Sequence, residues 1–377
     1  MPPLLVRYCL LSFALDVQFY IIQVVIPFQA LELGADPFFL GALSAVPGFF
    51  YVITAGLSGG ISDRTRRLRI SSVGCAFLAV GCLIEAHAES KLVLLLGTIP
   101  IGIGPALFWP AIQSGFGRLS APGRLEANLA WFNVAWSLGK TVGYVLGGFL
   151  VQGLGVPASM AIAALLAVLV GLFAPAEGDR PAAVAAVEVT EDERARMVRF
   201  ATAAWLANFA SWGIGATLTA HYAKLIEGME GAPIHFGLVL GQVQIWQTIA
   251  FVGLGRWRGW VLNARLLYAV EAAGLAAIVL LPFLAGRWPV FALTPVLGGM
   301  LGLCYASSIY YSLRAGEKKE GKYSGIHEAV LGGAVILTPL LGGTLATGLG
   351  FLPASFLLAG GTMAAVMVGQ KVKTGIG

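Results

Sequence analysis

Charge is scarce in this chain. Only 11% of its 377 residues are Asp, Glu, Lys or Arg, against about 25% in soluble domains. Hydrophobic residues make up 58%, and the mean hydropathy is +0.82. So little surface-forming stock excludes a soluble enzyme, a disordered chain and a nucleic-acid-binding domain, and no nucleic-acid partner is expected. Cysteine is scarce too. Cys9, Cys75, Cys82 and Cys304 lie in or beside apolar stretches and form no CxxC pair, which removes a zinc or disulfide framework. No small-residue cleavage site follows a short apolar core near the start, so the first apolar run reads as a retained helix rather than a signal peptide. Glycine, by contrast, is abundant: 50 residues, without a collagen period and inside the apolar segments. What remains is a polytopic, all-α membrane protein.

Apolar stretches long enough for a span fall at about 8–30, 37–58, 70–88, 91–115, 127–151, 156–175, 198–223, 235–255, 262–284, 288–313, 324–348 and 351–370. Twelve spans leave no room for a separate soluble domain. With the N-terminus placed inside and the sides alternating, 20 of the 24 bases fall on the cytoplasmic side. Lys91, Lys224 and Arg287 fall opposite, and Lys140 lies within span 5. The positive-inside rule therefore predicts a multi-pass protein of the cell's cytoplasmic membrane, with both termini cytoplasmic.

The chain also repeats itself. GGFLVQGLGVPAS from Gly147 is echoed by GGTLATGLGFLPAS from Gly342, and Ser12-Phe13-Ala14 by Asn208-Phe209-Ala210. The offset is 195 or 196 each time, so six spans are duplicated in parallel orientation, a plan used by some secondary transporters. The expected organisation is an N-terminal six-helix bundle over 1–175, a linker over 176–196 and a C-terminal six-helix bundle over 197–377. The linker carries Glu188, Glu191, Asp192 and Glu193. A solvated connection explains it better than a regulatory role, and Thr190 with Glu193 reads as a capping box.

After span 2 the sequence runs Gly59-Gly60-Ile61-Ser62-Asp63-Arg64-Thr65-Arg66-Arg67. This resembles the loop 2–3 signature of the major facilitator superfamily, with Gly59, Asp63, Arg64 and Arg67 matching. Arg66 stands where a Gly is usual and Leu68 where a base is usual. The resemblance implies two pseudo-symmetric six-helix bundles, the major facilitator fold, in which spans 1, 4, 7 and 10 line a central cavity. It also implies that Asp63 and Arg64 act as a conformational latch. Departures limit the subfamily. Span 4 lacks the Arg of drug/proton transporters, and Tyr144 replaces a Pro in an otherwise antiporter-like glycine row, Gly139, Gly143, Gly147 and Gly148.

An ionisable side chain at mid-span costs ~2.5–3.5 kcal/mol or more, so it needs a partner or a wet cavity. Lys140 shares a helical face with Asn133, Trp136, Ser137 and Tyr144, while the glycine row beside it is free to pack on a neighbour. A substrate or coupling role and a structural ion pair both fit it. Asp16, with Ser12, Tyr20, Gln23 and Pro27 on its face, is the carboxylate of span 1. It could take up and release a proton beside Lys140, or form a fixed bridge to it. Spans 7, 8, 4 and 10 add Asn208, Trp212, Gln244, Gln247, Trp109, Gln113 and Tyr305, suited to a polar or ring-bearing ligand or to interhelix hydrogen bonding. Glu328, near Lys318, Lys319 and Lys322, is expected as an ion-pair partner at the cytoplasmic gate. Glu271 is expected away from substrate, and Glu85 and His87 at a solvated outer end. His327-Glu328 lacks the second His of a zincin because Leu331 occupies that place. Neither a metal nor another cofactor is therefore expected.

These features predict a non-enzymatic secondary active transporter that moves a small organic molecule by alternating access. Coupling to protons is expected, with export favoured over uptake, in a monomer surrounded by membrane lipids. The rival reading is a transporter-shaped lipid translocase or a non-transporting membrane receptor.

Overall fold

The computed structural model describes residues 3–62, 67–119, 125–174, 191–315 and 320–374. These form eleven α-helices and, among the described residues, no strand. The helices are α1 (Pro3–Glu32), α2 (Pro37–Ser62), α3 (Arg67–Ala86), α4 (Lys91–Leu119), α5 (Leu125–Phe173), α6 (Glu191–Leu225), α7 (Ala232–Arg256), α8 (Ala264–Leu284), α9 (Thr294–Ala315), α10 (Glu320–Leu349) and α11 (Pro353–Thr374). A 3₁₀ segment, Trp288–Leu293, leads into α9.

The fifth and sixth expected spans are joined in one element. Their junction, Gly155-Val156-Pro157, offers no polar loop, and helix resumes immediately on either side of Gly155. That residue adopts φ 75°, ψ 176°, a conformation open to glycine at little cost, so α5 comprises two helical limbs meeting at a kink. Its apolar part, Ala130–Phe173, is 44 residues long, about twice what one crossing needs. Nine stretches among the described residues, this one included, are long and apolar enough to cross a membrane, and α3 contributes a shorter one, Ile70–Ala86. Large apolar side chains such as Leu10, Leu57, Phe149, Leu172 and Val368 stand exposed, as a lipid-facing surface requires. The helix that follows the expected linker already begins at Glu191, while residues 176–190, Thr190 included, lie outside the described residues.

Two buried apolar clusters hold the molecule together, one mainly from α1–α5 and one mainly from α6–α11. Within the first, the glycine row of α5 lies against α1. A Cβ at Gly143 would stand 2.6 Å from the Val17 carbonyl oxygen, one at Gly147 would stand 2.8 Å from a Val24 methyl, and one at Gly139 would strike the Phe13 carbonyl. Hydrogen side chains let the two backbones touch where hydrophobic driving force is weak.

The halves meet chiefly at two crossings, α5 on α7 and α2 on α10. At the first, Gly148 faces the Pro233 carbonyl, 2.5 Å from its would-be Cβ, and Gly237 faces that of Tyr144. At the second, Gly343 faces the Pro37 carbonyl, and Gly41 faces that of Pro339 at 2.5 Å. Each residue of one crossing is related to its counterpart by the 195–196 offset of the sequence repeat: 148 to 343, 37 to 233, 41 to 237 and 144 to 339. The duplication seen in the letters is thus also a duplication of contacts.

Candidate functional site

Between the halves lies a cavity of about 270 Å³, walled by α1, α2, α4, α5, α6, α7, α9 and α10. Besides aliphatic side chains and the hydroxyls of Ser44 and Thr219, its wall has three chemical components. Aromatic rings come from Phe19, Tyr20, Tyr51, Trp109, Tyr144 and Trp212; amides come from Gln23, Gln244 and Gln247; charges come from Lys140 and Glu328.

Of the two charged groups Lys140 is the better enclosed, with 6% of its surface exposed. Its ammonium lies 4.7 Å from the ring centre of Tyr20, 4.9 Å from that of Trp136 and 4.6 Å from that of Trp212. The rings come from α1, α5 and α6, so both halves hold this one cation. The glycine row makes the enclosure possible: Gly143 brings α1 near enough for Tyr20 Cβ to lie 2.8 Å from the missing methyl. Desolvated cation–π contacts contribute up to ~2 kcal/mol each. The cage is braced in turn. Trp136 Nε1 donates to Asn133 Oδ1 at 3.0 Å, and Tyr305 packs on both Trp136 and Trp212 at 5.3 and 5.6 Å. Tyr144 shares a 2.8 Å hydrogen bond with Thr219.

Asp16 is buried one turn below Tyr20, against Gly139, whose Cβ would meet its own at 2.9 Å. No ion pair joins it to Lys140 among the described residues, and Asp16 Oδ2 has no hydrogen-bond partner. The fixed-bridge alternative therefore lacks its contact in this conformation. Gln247 is fully buried with neither amide atom partnered by protein, and Gln244 Oε1 is likewise unpartnered. Such groups are costly in an apolar interior unless something else satisfies them, and both glutamines face the cavity. On the opposite wall, Tyr51 donates a 3.2 Å hydrogen bond to Glu328 Oε2.

A model of the Major Facilitator Superfamily matches residues 8–313. This chain belongs to that superfamily. Superfamily members are transporters rather than enzymes, and solved transporter structures share the fold. A POT family transporter in complex with 5-aminolevulinic acid superposes with a TM-score of 0.79 at 14% identity, covering 100% of this chain and 96% of that one. The nucleoside transporter NupG gives 0.70 at 14%, covering 98% of each. A bacterial homologue of the human lysosomal transporter Spinster, inward-facing and occupied, gives 0.68 at 15%, covering 99% and 95%. In sequence, the "Putative tartrate transporter" of Agrobacterium vitis is 25% identical over 193 residues, 48% of this chain. The match spans only 43% of that relative's length.

Within this superfamily member, the expected site residues divide three ways. Gln23, Trp109, Lys140, Trp212, Gln244, Gln247 and Glu328 line the cavity. Trp136, Asn133 and Tyr305 support it, while Asp16 and Asn208 are buried near it, Asn208 with both amide atoms unpartnered. Gln113 is half-buried in α4 and off the cavity wall. Asp63 and Arg64 of the latch lie outside the described residues; Gly59 falls in α2 and Arg67 opens α3.

Lys318 and Lys319, two of the gate lysines expected beside Glu328, lie outside the described residues. Glu328 itself faces the cavity and accepts from Tyr51. The overlooked signal was its helical face, since Glu328, Leu331, Gly332 and Val335 share one stripe and all line the cavity. Tyr51 was overlooked for the same reason, standing on a stripe with Ser44, Pro47 and Gly48. Glu85 is not at a solvated end but fully buried, both carboxyl oxygens without a partner. Gly97 of α4 makes its niche, for a methyl there would lie 2.7 Å from Glu85 Cγ. Glu271 is buried off the cavity, accepting 2.7 Å from Gln370 Nε2, and His327 Nδ1 is 2.7 Å from Ser308 Oγ.

Proposed function

We propose that the protein is a secondary active transporter that binds a small organic molecule in this cavity and releases it on the other side by alternating access. The observation that carries the reading is the Lys140 cage, a buried cation held by rings of both halves beside Gln247, whose two amide atoms have no partner among the described residues. Residues 1–175 and 197–377 are the two bodies that rock about it, with 176–196 as their connection. Proton coupling is assigned to Asp16, a buried carboxyl without a hydrogen-bonded partner, one turn from the cage. Export over uptake rests on the antiporter-like glycine row of α5. A cytoplasmic-membrane location with both termini inside rests on the 20-of-24 distribution of bases, and a monomer is sufficient because the cavity lies within one chain.

The test begins with a thermal-shift screen of candidate solutes against wild type and Lys140→Ala, since a ligand that binds only the folded state raises its melting temperature. A solute that stabilises only the wild type is then followed in proteoliposomes under an imposed pH gradient. Gradient-driven accumulation that Asp16→Asn reduces to simple equilibration is the expected result. Indifference to the gradient removes the coupling, and movement of lipid instead of solute favours a translocase.

A further inference from the structure

Resting on that transport reading, the charge pattern of the cavity narrows its substrate. We propose that the cavity selects a small zwitterion, its carboxylate taken by Lys140 and its ammonium by Glu328. Among the described residues lining the cavity, these are the two with formal charge. They stand on opposite halves, Lys140 on α5 and Glu328 on α10. Among the described residues neither is ion-paired to the other or to a neighbour: the Lys140 ammonium lies against three ring faces, with the carboxyl of Asp16 in electrostatic range but not in an ion pair, and Glu328 accepts one neutral hydrogen bond, from Tyr51. Three N–H donors thus await an acceptor, while Glu328 Oε1 remains for a donor. The aromatic wall suits an apolar body between the two charged ends, and Gln247 offers both a donor and an acceptor. A volume of about 270 Å³ lies at the small end of ligand sites.

The same pattern disfavours a dianion of the kind named for the Agrobacterium vitis relative. One lysine can answer one carboxylate, and the second would face Glu328. A zwitterion also has a mechanical consequence. Bridging a cation on one half and a carboxylate on the other, it draws the halves together, whereas a singly charged ligand engages one half alone.

The experiment uses the purified full-length chain and two probe sets. One is L-phenylalanine with 3-phenylpropanoate and 2-phenylethylamine; the other is 5-aminopentanoate with pentanoate and pentylamine; tartrate is added as the dianion. Binding is read by titration calorimetry. At least one zwitterion is expected to bind about tenfold or more tightly than both of its singly charged analogues, as losing a hydrogen bond to a charged group costs that much, and tighter than tartrate. Lys140→Gln is expected to bring the zwitterion level with its amine analogue, and Glu328→Gln level with its carboxylate analogue. The wild-type comparison stands alone if a variant fails to fold. Carboxylates binding as well as zwitterions, tighter binding of tartrate, or no binding by either zwitterion overturns the proposal. Transport separates the two claims. A solute other than a zwitterion carried across proteoliposomes leaves the transporter intact and sinks the zwitterion. A zwitterion bound as expected but never moved does the reverse.

Discussion

Alanine at Gly148 and at Gly41 tests whether the two crossings form a gate. At Gly148 the added methyl would stand 2.5 Å from the Pro233 carbonyl oxygen and 3.1 Å from Ile234 Cα. At Gly41 it would stand 2.5 Å from the Pro339 carbonyl oxygen and 2.9 Å from Leu340 Cα. Ordinary contact begins at 3.4 Å, so each crossing must open by about 1 Å, and the opposing atoms are backbone that no rotamer change can move aside. Overpacking of this kind costs ~1–3 kcal/mol. If the halves part here in the alternate state, the penalty falls on the closed state alone and shifts the equilibrium about 5- to 150-fold. Spin labels at Leu154 and Leu349, exposed repeat mates on the two halves, would report the change as a longer distance population in liposomes. Both alanines are expected to enrich it. A lower melting temperature with an unchanged distance distribution would refute the gate, because the crossings would then be permanent joints that carry the same strain in every state.

Three further perturbations address single features. Trp212→Leu removes the ring that the C-terminal half places over Lys140, and with it up to ~2 kcal/mol of cation–π attraction; spin-label distances between the halves should broaden while each half stays folded by circular dichroism, and an unchanged distribution would show that the cage does not couple them. Gly155→Ala forces a Cβ into φ 75°, ψ 176° and should cost ~1–3 kcal/mol, read as a lower melting temperature; no loss would mean that the kink has relaxed. Glu85→Met replaces two buried oxygens that have no partner with apolar volume, so thermal stability is expected to rise. A clear fall would assign the carboxyl a role in holding α3 against α1 and α4.

The elements legible in the sequence are those where one chemistry dominates a long stretch. Apolar runs marked the spans, and a lone base in such a run marked Lys140. The α5 glycine row announced a close approach to some neighbour, because hydrogen side chains at four-residue spacing have little other use in a bilayer; that the neighbour is α1 came from the structure. What was not legible has one cause. Glu85 stands near a span end, but Gly97 on another helix decides whether that end is wet. Glu328 follows three lysines in the chain, while Tyr51, its hydrogen-bond partner, lies 277 residues away. No polar loop divides spans 5 and 6, and the single non-helical residue Gly155 turns the chain between two helical limbs. Burial and partnership are properties of facing helices, and one sequence read alone does not say which helices face.

Tyr144 and Pro339 are repeat mates, and each presents its carbonyl to a glycine of the other half. Beyond that shared carbonyl they have parted company. Tyr144 adds a hydroxyl bonded to Thr219 and a ring packed 4.8 Å from Tyr20, while Pro339 adds neither. One copy of an ancestral joint has been recruited into the lining of the cavity and the other left as plain carpentry. The frame of the molecule is consequently twofold but its interior is handed, so a cargo with two unlike ends has a single way to lie in it.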